Sequence, residues 1–125
     1  MIGVNDIGRK IPLDNTINNY KKIINKLKAG LPNAVLYVQS VLPINDELIN
    51  RQYYTGTNAE IRTLNIRLRG MARSLNVTYL DIYALLANET GQMPAKFTYD
   101  GIHLTAGAYI IWTKFLKEKG YCCKL

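Results

Sequence analysis

The sequence predicts an α/β fold in three layers, a parallel sheet with helices on both faces. Two observations carry this. Strand-like apolar runs and amphipathic helical stretches alternate three times along the chain, and such alternation implies parallel strands joined by right-handed crossovers. Polar clusters also lie beyond the carboxyl ends of the strand-like runs, where open parallel sheets gather their chemistry. These clusters are Asn5-Asp6, Ser40 to Pro43, and the stretch holding Asp100 and His103.

Met1 to Val4 reads as the end of a short strand, and Asn5-Asp6-Ile7-Gly8 as a turn. Lys10 to Leu13 leads into a helix over Asp14 to Ala29. Asp14 or Thr16 is placed to cap it, and Gly30 and Pro32 end it. Ile17, Tyr20, Ile23, Ile24 and Leu27 form its apolar stripe. Ala34 to Gln39 is short, apolar and rich in strand formers, which suits a buried strand. Ile44 to Gly56 is a polar loop without a period.

Thr57-Asn58-Ala59-Glu60 matches a capping box. The helix behind it carries Ile61, Leu64, Leu68, Met71 and Leu75 on one face. Asn65 shares that face, and a buried amide must find partners, so a bond to a loop backbone is expected. Val77 to Ile82 is the third strand, and a second loop runs from Asn88 to Tyr99. Thr105 is placed to cap a last helix that buries Tyr109, Trp112, Phe115 and Leu116 and closes at Gly120. No repeat, low-complexity tract or linker interrupts residues 1–125, so they read as one domain.

A chain of 125 residues, 48% apolar and 20% charged, has the composition of an ordinary globular domain with a real core. No apolar run is long enough to span a bilayer. Met1 to Asp6 lacks the basic start and apolar stretch of a signal peptide, so nothing here specifies export. The net charge is +7, but its lysines and arginines are spread over three helical segments and alternate with core positions. That pattern is a solvated helix surface rather than the clustered footprint of a nucleic-acid reader. Cys122 and Cys123 are adjacent, so they cannot staple distant segments, and neither has metal-ligand spacing to a histidine.

The chemistry concentrates in Tyr99-Asp100-Gly101-Ile102-His103-Leu104-Thr105. It holds the only histidine, with an aspartate three residues before it and a glycine between. A carboxylate that takes one ring N–H leaves the other ring nitrogen free to move a proton. The same residues also suit a plain helix-entry turn with a surface histidine. Ser40 and Ser74 are the only serines. Ser74 lies late in a helix. Ser40 lacks the glycine-rich turn that exposes a nucleophile, and suits a strand end that bonds the backbone.

Gly3-Val4-Asn5-Asp6 followed by Asp100-Gly101-Ile102-His103-Leu104 resembles the third and fifth sequence blocks of the SGNH hydrolases, the GDSL-type esterases and lipases. Leu42-Pro43, Asn65 and Tyr79-Leu80-Asp81-Ile82 sit where that family has similar residues, so the resemblance covers nearly the whole chain. It implies a flavodoxin-like sheet and hydrolysis of small acyl esters, such as acetylated sugars or lipid-like esters, with no metal or organic cofactor. His103 would be the general base and Asp100 its orienting carboxylate. The Asn5 amide would donate to the oxyanion, and Gly3, Asp6 and Asn65 would support the site.

The chain departs from the family in one large respect. The serine block and the block that gives a glycine N–H to the oxyanion hole have no counterpart, so the N-terminal strands and the nucleophile are expected to be missing. Ala108 also stands where the family often has glycine. A catalytically inactive fragment or pseudoenzyme that binds a ligand or partner is the alternative reading. A sheet left open by missing strands would offer an edge for self-association.

Overall fold

The computed structural model describes residues 2–121. Two strands lie at its centre, β1 (Tyr37–Gln39) and β2 (Thr78–Leu80), paired in parallel with Tyr37 opposite Thr78 and Gln39 opposite Leu80. Five helices surround them: α1 (Val4–Gly8), α2 (Leu13–Gly30), α3 (Asn58–Ser74), α4 (Ile82–Leu86) and α5 (Ala106–Glu118). Side chains alternate across a strand. Val38 therefore joins Ile17, Tyr20 and Ile24 of α2 and Ile61, Leu64 and Leu68 of α3 in one core. Leu80 joins the other, with Leu86 of α4 and Ala108, Trp112 and Phe115 of α5. Helices thus cover both faces of a parallel sheet, as the alternation predicts. Among the described residues no helix is long and apolar enough to cross a membrane.

The third helix follows its sequence closely. Thr57 accepts from the Glu60 N–H, and the Glu60 carboxylate accepts from the Thr57 N–H, which completes the capping box. Ile61, Leu64, Leu68 and Met71 are buried, at the spacing the sequence shows.

Elsewhere the boundaries differ, for local physical reasons. Met1 lies outside the described residues, and Ile2 to Val4 do not form a strand. Tyr20 takes both backbone groups of Ile2: its hydroxyl donates to the Ile2 carbonyl at 2.5 Å and accepts from the Ile2 N–H at 3.1 Å. The stretch read as a turn is helix α1, with the Ile7 N–H bonded to the Gly3 carbonyl. Neither Asp14 nor Thr16 caps α2. Pro12 occupies the cap without a side-chain bond, and buried Thr16 donates to the Asp6 carboxylate at 2.9 Å. Ile23 and Leu27 stay 44% and 40% exposed.

The third strand stops at Leu80, because Asp81 accepts from the Ala84 N–H and starts α4, a helix the apolar run concealed. The loop before α3 carries buried Ile49 and Tyr54 beneath its polar surface. A 3-10 turn, Ala95–Phe97, breaks the second loop. Thr105 stands at the N-cap of α5, but its hydroxyl donates to the Lys96 carbonyl and not to the helix. Within α5 only Ala108 is fully buried; Tyr109 is 51% exposed, and Trp112, Phe115 and Leu116 are half-buried. Cys122 and Cys123 lie outside the described residues.

The chain leaving β1 runs through the interior as Val41 to Ile44, where water cannot serve its backbone. Two amides of α3 do so. Asn65 accepts from the Val41 N–H at 2.7 Å and donates to the Val41 carbonyl at 2.8 Å. Asn58 accepts from the Ile44 N–H and donates to the Ile44 carbonyl, both at 2.9 Å. The loop-backbone bond expected of Asn65 is therefore present in both directions.

Replacing Asn65 with leucine keeps the branched shape but strands a buried N–H and a buried carbonyl, at about 1–3 kcal/mol each. Denaturant titration should show a loss near the sum, while Asn65→Asp, which keeps the acceptor, should retain the Val41 N–H bond and differ from Asn65→Leu. Gly3 has φ +124°, and a Cβ there would come 2.9 Å from Val41 Cγ2 and 3.1 Å from Leu64 Cδ2. Gly3→Ala should destabilise by about 1–3 kcal/mol through strain and contact together; a melting temperature equal to the parent's would refute the tight fit.

Candidate active site

Three chain segments build the site, each fixed by its own backbone and side-chain bonds. The first is α1. Its entry needs Gly3, whose positive φ no β-carbon would tolerate against Val41. The Tyr54 hydroxyl donates to the Val4 carbonyl at 3.0 Å, and burial pushes that phenol up to about 12. Asp6 braces the helix from behind through Thr16. Asn5, on the outer side of α1, is exposed.

The second segment is Val41 to Ile44, which carries Leu42. The third is the turn from Thr98 to Leu104, closed as an antiparallel bridge between its ends. The Tyr99 N–H donates to the His103 carbonyl at 3.0 Å, and the Thr98 hydroxyl donates to the same oxygen at 2.9 Å. The Gly101 N–H donates to the Thr98 hydroxyl. Gly101 has φ +92°, and a Cβ would meet the Asn45 carbonyl at 2.7 Å and Ile49 Cγ1 at 2.5 Å. Its own carbonyl accepts from the Asn45 N–H, which ties the turn to the buried strip beside β1.

Asp100 does two things at once. Its Oδ1 accepts the Ile102 N–H at 2.9 Å and the His103 N–H at 2.8 Å. Its Oδ2 lies 2.6 Å from His103 Nδ1. Burial raises the carboxyl, but the His103 N–H, the ring, the Ile102 N–H and the His103 charge together outweigh it and hold the group at about 2. An ionised Asp100 sets Nδ1 as the donor. Nε2 has no partner among the described residues, and the His103 side chain is 79% exposed.

His103 and Asn5 line one cleft of about 440 Å³, together with Val4, Leu42, Tyr109 and Trp112. The sequence-predicted residues Asp100, His103 and Asn5 thus meet at one rim. Gly3 and Asp6 flank Asn5 along the chain, and Asn65 clamps Val41, the neighbour of the lining residue Leu42. Tyr109, expected in the core, is exposed, while Trp112 packs against the second core as expected; the two form a stacked pair with ring centroids 6.1 Å apart in the cleft wall. Their signal in the sequence is an α5 stripe with more large apolar residues than two short strands can cover. Ser40 is fully buried, and its hydroxyl accepts from the Tyr83 N–H at 2.7 Å, the backbone-bonding role expected of a strand end. The Ser74 hydroxyl donates to the Met71 carbonyl within α3. Among the described residues no three His, Cys, Asp or Glu side chains group to hold a metal.

The sequence profile of the GDSL-like lipase/acylhydrolase family matches residues 1–110. No curated protein matches the chain significantly. Among solved structures, a candidate platelet activating factor from Streptococcus pneumonia superposes with a TM-score of 0.89 at 29% identity, over 95% of this chain and 56% of that one. A GDSL-like lipase from Bacteroides thetaiotaomicron gives 0.75 at 23% identity, over 94% and 58%. The esterase domain of an ORF1 protein from a zebrafish retrotransposon gives 0.64 at 17% identity, over 98% and 67%, and like the Bacteroides protein it speaks for the fold alone. The chain spans little more than half the length of the first two. With its profile match running across most of the sequence, the chain belongs to the GDSL-like lipase/acylhydrolase family.

Proposed function

We propose that residues 1–125, as one SGNH-type domain, supply the acid–base and oxyanion parts of an ester hydrolase acting on small acyl esters. The observation that carries this is the Asp100–His103 pair, with its free Nε2, on a cleft that Asn5 also lines. In this reading His103 Nε2 takes the proton of a hydroxyl nucleophile and returns it to the leaving alcohol. Asp100 holds the tautomer and stabilises the imidazolium. The exposed Asn5 amide donates to the tetrahedral oxyanion, a role worth about 3 kcal/mol for one well-placed donor. Water, activated by His103, then releases the acyl group. Acetylated sugars, lysophospholipids and simple esters all present the carbonyl this arrangement needs.

Both serines of the chain are occupied away from the cleft, so the attacking hydroxyl comes from outside these residues. That same observation favours a second reading, a binding module that keeps the fold without turnover. The sheet edge at β1 has no strand partner among the described residues, and self-association through it belongs to either reading.

The purified chain should hydrolyse p-nitrophenyl acetate only at the slow rate of a positioned imidazole, and a fluorophosphonate should label neither serine. His103→Asn should lower that hydrolysis by about ten-fold, less than the full effect of general catalysis in a complete site. Hydrolysis indifferent to His103→Asn supports the binding module, and labelling of Ser40 with turnover would overturn the assignment of an external nucleophile.

The pair also sets a pH dependence. The Asp100 carboxyl titrates below its ordinary 3.8, at about 2, so its contribution to stability is present above about pH 4 and is lost as pH falls through about 2. Both side chains are largely exposed, which keeps that contribution small. Carbon-detected NMR should place the Asp100 midpoint near 2 and move it upward in His103→Ala; an unmoved midpoint would show that the backbone N–H groups alone hold the carboxylate.

A further inference from the structure

Asn5 reaches the cleft from α1, a helix of five residues. A helix so short does not hold itself in water, so its position is set by what packs on it. The side-chain bonds that pin it fall on the neighbours of Asn5. Thr16 donates to the Asp6 carboxylate, Thr55 to the Gly8 carbonyl and Tyr54 to the Val4 carbonyl. The last is special in its place. The Val4 carbonyl belongs to the rigid peptide plane that ends at the Asn5 Cα, so the bond acts one unit away from the amide-bearing side chain.

Tyr54 is fitted closely to this task. It is 6% exposed, and its ring lies between two glycines. A Cβ on Gly8 would come 2.5 Å from its Cε2, and one on Gly56 would come 2.6 Å from its Cε1, so a glycine stands at each edge of the ring. Neither glycine has a positive φ, so space and not backbone conformation calls for glycine there. The loop carrying the ring is braced in turn. Arg51 donates to the Gly56 carbonyl at 2.6 Å and pairs with Asp46, and the Thr57 capping box starts α3 just beyond. A phenylalanine would fill the same slot, so the slot accounts for the ring alone. The hydroxyl is accounted for by its bond to Val4, fifty residues away along the chain. With its pKa pushed up to about 12 by burial, the phenol keeps the proton it donates.

We propose that Tyr54 is a positioning residue for the oxyanion site: through the Val4 carbonyl its hydroxyl fixes the peptide that leads into Asn5, and so the point in the cleft at which the Asn5 amide donates. The inference rests on the reading of Asn5 as the oxyanion donor. Tyr54 is not among the residues that line the cleft, so it acts only through Asn5.

The test is a double-mutant cycle on residues 1–125, read as the His103-dependent hydrolysis of p-nitrophenyl acetate. Asn5→Ala should lower that rate by about five-fold, and Tyr54→Phe, which keeps the ring, by about three-fold. In the Asn5→Ala background Tyr54→Phe should change nothing further, because no donor is left to misplace. Ile24→Val, a core change under α2, should lower the melting temperature and leave the hydrolysis unchanged. NMR gives a reading free of turnover: in Tyr54→Phe the Val4 carbonyl carbon should move upfield and the Asn5 backbone order parameter should fall, with His103 unaltered. A Tyr54→Phe loss of equal size in both backgrounds, no loss while Asn5→Ala has one, or an equal loss in Ile24→Val would overturn the positioning role and leave the oxyanion reading standing. Hydrolysis indifferent to Asn5→Ala would remove the oxyanion reading and this inference with it. An Asn5 order parameter untouched by Tyr54→Phe overturns the role whatever the rates show.

Discussion

The structure depends on satisfying one short stretch of backbone. Beyond β1 the chain passes through the interior without a strand or helix to pair its polar groups, and each unpaired group there is expensive. Asn65 and Asn58 solve this with two reciprocal amide clamps on Val41 and Ile44. Everything around the cleft then leans on the clamped strip. Gly3 packs on Val41, the Met93 N–H donates to the Ile44 carbonyl, and the Asn45 N–H holds Gly101. Helix α3 is therefore both a wall of the core and the fixture from which the rim is aligned.

This arrangement explains how an exposed histidine can still be well placed. Its precision comes from backbone and hydroxyl bonds of the turn beneath it, through Thr98, Asn45 and Gly101, while the ring itself stands in water. The Asp100–His103 hydrogen bond contributes orientation more than stability, as expected for side chains so accessible. Leu42 and Trp112 line the same cleft as His103 and give it an apolar side.

Much of this was legible in the sequence, wherever the signal was local. The capping box, the α3 stripe and the buried amide of Asn65 each need only a few residues to be read. So does the Asp–His spacing, because a three-residue turn brings its own ends together. What the sequence concealed depends on partners far along the chain. Thr16 looks like a cap until Asp6 of α1 is beside it. Ile2 looks like a strand until Tyr20 takes its backbone. Ile82 extends an apolar run, yet a single carboxylate before it turns the chain into α4. Tyr109 and Trp112 carry the right period for a core face, but period alone does not say whether that face meets the sheet or a cleft. The gathering of Asn5 and His103 followed from strand-end logic, although the strand assumed before Asn5 is absent among the described residues.

Asp100 brings a consequence of its own. One of its oxygens folds the turn and the other aims the imidazole. A chain that needed only a helix-entry turn would select this carboxylate, and so would a chain that needed only an oriented base. The two demands fall on the same side chain, so neither can be adjusted without the other. Lengthening it by one methylene, or neutralising it, disturbs the bend and the proton acceptor together. The orientation of the His103 ring is thus tied to the folding of four residues, and its evolution is confined to changes elsewhere in the cleft.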